Sequence, residues 1–212
     1  MKFPNAANGV SKIYTAEILA LIGAVCGLVG AIVIAVGVAA DSALALGSLP
    51  FVLAAGILLI IAFILNIVGV NNASKDEVKF KNAFIWLIAG IVAALAQSIF
   101  ANNELLSSLF ETLSSLFQLL STIYVIQGTM SLARQMGNAD VEGMGAKTLK
   151  LILVSYIIII VIRVIAAIFA AIESATALVL VVAILGIVVF VIQIIAYIIY
   201  LKMLSRAKKM LN

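Results

Sequence analysis

The chain has 212 residues, 66% of them hydrophobic and 10% charged, with a mean hydropathy of +1.32; water-soluble domains carry about 25% charged residues. A formal net charge of +4 is too small to imply a nucleic-acid partner, and a single cysteine, Cys26, excludes an intrachain disulfide. The chain contains no histidine, which excludes His-based acid–base catalysis, His-containing triads and His-ligated zinc or haem.

The apolar runs are continuous rather than alternating, which points to membrane-spanning helices and away from barrel strands. The first is expected at residues 14–39. Lys2 and Lys12 precede it and VAAD (Val38–Asp41) offers small residues, as at a cleaved signal peptide. The run Ile18–Ala40 is, however, longer than the roughly 7–15 residues of a signal-peptide core, so a retained first helix is expected. Ala16, Ala20, Ala24, Gly27, Ala31 and Ala35 lie along one of its faces, with Gly23 and Gly30 beside them. Small residues at i, i+4 spacing let helix backbones approach closely, whether within the chain or against a partner protein. Glu17 lies one turn inside, placed either to relay protons or to snorkel to the surface.

The next two spans are expected at 49–71 and 82–101. The fourth segment, 105–133, is less apolar and begins LLSSLFETLSSLFQLLST (Leu105–Thr122). Written in sevens it repeats: Leu106, Leu113 and Leu120 recur at one position and Phe110, Phe117 and Tyr124 at another. Ser107, Ser108, Glu111, Ser114, Ser115, Gln118, Ser121 and Thr122 fall on the opposite face, giving a helix with one aliphatic–aromatic side and one small-polar side. Interfacial helices usually carry Lys or Arg on the polar face, and there is no basic residue between Asn82 and Leu132.

Charge placement decides that this segment crosses. If it does, the N-terminus, 72–81, 134–148, the tail and the adjoining helix ends share one side of the membrane. They hold every basic residue except Arg163, twelve of the thirteen. If it does not, Arg134, Lys147, Lys150, Lys202, Arg206, Lys208 and Lys209 move to the other side. The positive-inside rule selects the first arrangement, with both termini cytoplasmic in a cell membrane. Outer loops then carry Asp41, Glu104 and Glu173. The last two spans are expected at 149–172 and 177–201, with the tail LKMLSRAKKMLN continuing as helix. Its Lys202, Arg206, Lys208 and Lys209 are expected to lie near anionic lipid as cytoplasmic anchors.

KNAFIWLIAGIVAALAQSIF (81–100) and KLILVSYIIIIVIRVIAAIF (150–169) align without a gap, and SKIYTAEILALIGAVCGLVGAI (11–32) begins alike. One all-α membrane domain over 1–212 is therefore expected: a six-helix bundle of three tandem hairpins, about 11–75, 79–136 and 146–209. The repeats share one orientation, unlike the inverted repeats common in secondary transporters.

Arg163 lies deep in the fifth span, where a charge costs roughly 2.5–3.5 kcal/mol on insertion scales and calls for a partner. Glu111 is the nearest candidate in estimated depth, and Glu173 is a second. Such a pair serves either as an anion or substrate anchor or as a structural ion pair, with Gln118 and Ser115 on the same polar face. Gln97, Gln127, Gln193 and Asn66 are scattered amides suited to interhelical hydrogen bonds of roughly 0.6 kcal/mol. Phosphate-cradling glycine loops, metal-ligand clusters and protease motifs do not occur, so neither an enzyme nor a cofactor is expected.

The exits of the even-numbered helices and the basic entry to the next hairpin (ILNIVGVNNASKDEVKFKNAF and IYVIQGTMSLARQ) resemble uncharacterised small six-helix membrane proteins of archaea and bacteria; that resemblance implies the fold and brings no activity. In size, helix count and A-x-x-x-A spacing (Ala16, Ala20, Ala24) the chain is also similar to substrate-binding subunits of energy-coupling-factor vitamin transporters. Those use that spacing to dock a partner, but their vitamin lid needs longer outer loops than this chain has, and three tandem hairpins are not their pattern. The function expected is a scaffold or accessory subunit acting through helix–helix contacts with a membrane-protein partner or a second copy; the alternative is a small transporter, channel or solute-binding subunit using the polar fourth helix and Arg163. If Arg163 and Glu111 pair, Arg163→Leu and Glu111→Leu are expected to be non-additive in a double-mutant cycle on melting temperature in detergent. A coupling near zero would remove the pair.

Overall fold

The computed structural model is all-α and describes residues 2–39, 47–170 and 176–212, with their side chains except at 39, 163–170 and 176–184. Six helices follow in order: α1 (Pro4–Ala39), α2 (Leu49–Ala73), α3 (Val78–Ile99), α4 (Glu104–Gln135), α5 (Ala139–Ala170) and α6 (Thr176–Leu211). Each contains a stretch long and apolar enough to cross a membrane, α4 included, and the chain is a multi-pass membrane protein. The 36 residues of α1 reach about 54 Å at 1.5 Å per residue, well beyond a hydrocarbon core of about 30 Å. Several helices therefore project beyond the bilayer.

Those projections account for the boundaries that hydropathy missed. α1 starts at Pro4 rather than residue 14 because its first turn is capped from elsewhere in the chain. The Asp76 carboxylate accepts from the Ala6 backbone N–H and from Asn5 Nδ2, each at 2.8 Å, and the negative charge suits a helix N-terminus. α5 likewise starts ten residues early. Asn138 Oδ1 accepts from the Val141 N–H at 3.1 Å, and Asp140 and Glu142 occupy the first turn. Between α4 and α5, Gly137 has φ +69°, and the Asn138 N–H reaches back to the Ala133 carbonyl at 2.8 Å. This left-handed cap turns the chain within three residues.

Each helix packs on the next and α1 packs on α6, so the six close into a ring, with the most extensive contacts inside the hairpins α1–α2, α3–α4 and α5–α6. Within each hairpin, buried positions recur every seven residues. In α1 they are Gly9, Ala16, Gly23, Gly30 and Gly37; in α2, Ser48, Ala55, Ala62 and Gly69. The second hairpin buries Ala83 and Gly90 with Ser114, Ser121 and Gly128, and the third Val141, Thr148 and Ser155 with Val189, Ala196 and Met203. A seven-residue spacing is the signature of left-handed coiling, and small residues at the seam bring the backbones together. The four-residue stripe read from the sequence therefore runs off this seam: Ala16 is buried, Ala20 and Gly27 are half-buried, and Ala24 and Ala31 are exposed.

The largest apolar core gathers at the end of the ring that carries both termini. Val10, Ile13, Val70, Phe80, Ile126, Leu132, Met203 and Leu204 are there fully buried. Around it, Glu77 accepts from Ser131 Oγ at 2.9 Å and from Gln135 Nε2 at 3.0 Å. Arg134 pairs with Glu142 at 2.5 Å, and Arg206 pairs with Asp140. Backbones nearly touch at the α1–α2 crossing, where a Cβ on Gly9 would lie 2.5 Å from the Gly69 carbonyl oxygen and 2.6 Å from the Ala73 nitrogen. On Gly27 it would meet only the Ala55 methyl at 3.8 Å. Gly9→Ala is expected to cost about 1–3 kcal/mol by overpacking and to lower the melting temperature in detergent, whereas Gly27→Ala should be close to neutral.

Candidate functional site

The small-polar side of α4 divides between two environments. Ser114 Oγ donates to the Gly90 carbonyl at 3.1 Å and Ser121 Oγ to the Ala83 carbonyl at 3.0 Å, both buried in the α3–α4 seam. The aromatic side packs on the same neighbour: Phe117 stacks on Trp86 and Phe110 on Phe100, with centroids 5.4 and 5.5 Å apart. One residue further round the helix, Ser115, Gln118 and Thr122 face open space inside the ring.

That space is a cavity of ≈ 350 Å³ between α1, α4, α5 and α6, lined by Glu17, Ser115, Gln118, Thr122, Ser155, Tyr156, Gln193, Tyr197 and Tyr200 among others. A second cavity of ≈ 540 Å³ shares Gln118 and Thr122 with it and extends to Asn66 on α2 and Ser98 on α3. A third, of ≈ 510 Å³, shares Ser115 and Tyr156 and adds Ser108, Glu111 and Thr112. Polar groups thus follow α4 from Ser108 to Thr122, about 21 Å along the helix axis. Among the described residues, no Lys or Arg lines any of the three. At the termini end the track stops one turn short of the buried core, where Ile13, Ile126 and Met203 close the ring.

Glu17 turns into the ring instead of reaching the surface. Tyr197 Oη donates across from α6 to Glu17 Oε2 at 3.1 Å and lies 2.9 Å from the Glu17 backbone oxygen, and Tyr200, one turn further along α6, lines the same cavity. The tyrosine rings stand 6.4 Å apart. The sequence reading passed over these tyrosines. Their signal was the i, i+3 spacing of Tyr197 and Tyr200, which puts both on one helix face, in a helix otherwise almost wholly aliphatic at that depth.

Of the residues expected at an intramembrane site, Gln118 and Ser115 share the first cavity and Glu111 lies with Ser115 in the third. The Arg163 side chain and Glu173 lie outside the described residues. Of the amides, Asn66 and Gln193 line cavities. Ala16 and Ala20 border a further small cavity with Glu17 and Asn66. The basic tail rests on protein as well as facing outward: Arg206 meets Asp140, and Lys208 Nζ lies 5.6 Å above the Tyr14 ring. Lys202 and Lys209 are exposed.

No protein-family model matches the chain, and neither does any curated protein or solved structure.

The split of the polar face is directly testable with one reactive thiol at a time. In a Cys26→Ala background, Gln118→Cys and Ser115→Cys are expected to react with a membrane-impermeant methanethiosulfonate reagent, and Ser114→Cys to stay unmodified. Equal protection at all three positions would mean that the α4 face is packed throughout.

Proposed function

We propose that this protein binds a small polar solute inside its helix ring and moves it across the membrane. The observation that carries the reading is the polar track on α4, which runs for several turns through an otherwise apolar bundle without being consumed by helix packing. A hydroxyl or amide left in hydrocarbon without a partner is costly; α3 satisfies Ser114 and Ser121. Thr112 and Thr122 donate back to carbonyls of α4 and Gln118 to Ser114 Oγ, and Ser115 and the Gln118 amide stand on the cavity wall. Glu17, Gln118, Gln193 and Ser115 converge on one space from three helices, as groups that orient a ligand do. The closed core beyond Glu17 favours a carrier caught with one end shut over a permanently open channel.

The basic end belongs in the cytoplasm on this reading. Twelve of thirteen Lys and Arg residues gather on the same end, which is the charge bias that orients membrane proteins. The cavity and the closed core would then face the outer and inner sides respectively. We read the three hairpins as copies of one ancestral unit. Their common seven-residue seams support this, although Lys12, Lys81 and Lys150 stand at different places relative to Ala16, Ala83 and Thr148 in those seams. No catalytic step is assigned to the site.

A second reading, a scaffold or accessory subunit, draws support from Ala24 and Ala31, small residues that the α1–α2 seam leaves uncovered. Transport assays separate the two. Proteoliposomes challenged osmotically with glycerol, xylitol, glycine or choline chloride are followed by stopped-flow light scattering. Entry of at least one solute is expected to exceed that of protein-free vesicles and to fall to their rate with Gln118→Leu, while the melting temperature stays within a few degrees. If wild-type and protein-free vesicles match for every solute, the scaffold reading takes its place.

A further inference from the structure

We propose that the Glu17 corner of the central cavity is a binding site for an organic ammonium ion, with the carboxylate facing the positive charge and the rings of Tyr156, Tyr197 and Tyr200 surrounding the alkyl groups. This deepens the transport reading and rests on it, because it names the chemical class of the solute.

Three observations converge. Among the described residues, Glu17 is the one carboxylate on the wall of the first cavity, and no Lys or Arg shares that wall. Its hydrogen-bond donor across the ring is neutral: Tyr197 donates to it at 3.1 Å. Among the described residues this carboxylate meets no countercharge within the bundle, and a cationic ligand supplies one. The remaining wall mixes three tyrosines with two amides, three aliphatic hydroxyls and the aliphatic Leu119, Ile152 and Ala196, and Glu17 is its one carboxylate among the described residues. Tyr156 comes from α5, and Tyr197 and Tyr200 from α6. The faces of such rings attract a cation through their quadrupole, and several rings around one carboxylate suit alkylated ammonium groups. A small inorganic cation instead demands six or more oxygen ligands at close range. A space of ≈ 350 Å³ accommodates a small alkylammonium with room for its contacts to Gln118 and Gln193.

Binding also has a structural consequence at this place. Glu17 joins α1 to α6, the contact that closes the ring, and it stands one turn from the buried Ile13. A ligand that competes with Tyr197 for the carboxylate acts directly on that closure.

The test uses the full chain in lipid nanodiscs, titrated calorimetrically with tetramethylammonium chloride and, separately, with sodium chloride and glycerol. Tetramethylammonium is expected to bind the wild type and to lose at least about thirtyfold in affinity with Glu17→Gln, the loss typical of removing one partner of a desolvated charge pair. Tyr156→Leu should weaken binding by roughly two- to thirtyfold through loss of a cation–ring contact. Tyr197→Phe keeps the ring and should retain most of the affinity, which separates the aromatic contribution from a hydroxyl contribution. Melting curves for each variant establish that it is folded, and Tyr156→Leu serves if Glu17→Gln does not fold. Unchanged affinity in the folded Glu17→Gln or Tyr156→Leu variants overturns the proposal, as does displacement of tetramethylammonium by equimolar sodium. Absence of ammonium binding, with Gln118-dependent entry of glycerol or xylitol into vesicles intact, overturns the ammonium site and leaves the transport reading standing. Loss of all Gln118-dependent flux overturns both.

Discussion

A polar helix face cannot be left against lipid, and α4 is the helix on which this constraint falls. Its Ser, Thr, Gln and Glu residues occupy one side for several turns. Inside a bilayer, water is not present to satisfy them, so the side must turn toward protein or toward an enclosed aqueous space. Both solutions appear within a single helical turn. Ser114 and Ser121 bond to backbone carbonyls of α3, whereas Ser115, Gln118 and Thr122 look into the ring. A fully packed face would have needed a seventh helix lying across α4, in the middle of the bundle. The chain instead runs round the periphery, α1 meeting α6, and the space within remains.

What holds such a ring together changes with depth. Lipid tails are as apolar as leucine, so burying an aliphatic side chain between helices gains little in the bilayer; close backbone packing and hydrogen bonds decide. The large aliphatic residues accordingly point outward: Leu28, Ile60, Val92, Leu109 and Ile157 are all exposed. The seams of the first two hairpins are Gly, Ala and Ser. At the termini end, where the helices project toward water, the usual hydrophobic driving force returns. There Phe80, Ile13, Leu132 and Leu204 bury themselves, and carboxylates such as Asp76 and Glu77 join neighbouring helix ends by hydrogen bonds.

The sequence was most legible where one physical signal dominated. Six spans followed from run length, and the fourth needed only the distribution of charge to be counted among them; the ring shows hairpins in the expected pairs. Helix starts were less legible. The hydropathy of Pro4–Tyr14 and Ala139–Thr148 falls because those turns leave the apolar core, and what keeps them helical is distant in sequence, as Asp76 is from Ala6. The packing face of α1 was read at a spacing of four because alanines are abundant there. The spacing of seven was also present, in Gly9, Ala16, Gly23, Gly30 and Gly37, but antiparallel pairing with Ala62 and Gly69 is what selects it. The cavity was half legible. Gln118 and Ser115 announced themselves by polarity, whereas the meeting of Glu17 with Tyr197 joins residues 180 apart in the chain, which no local pattern encodes.

The same division of forces constrains how a solute would pass. Contacts are most extensive within hairpins, and in the first of them the backbones nearly touch, which resists internal sliding. Between hairpins the contacts at the termini end are side-chain packing and the surface ion pair of Arg134 on α4 with Glu142 on α5, and exposed pairs contribute at most about 1 kcal/mol. Opening that end therefore separates hairpins rather than unwinding helices. The α1–α6 contact is the natural place for it to begin, since it closes the ring between the first and third hairpins and carries the Glu17–Tyr197 bond beside the cavity. On the transport reading proposed above, a ligand that exchanges with Tyr197 at this carboxylate would act on the joint between the first and third hairpins.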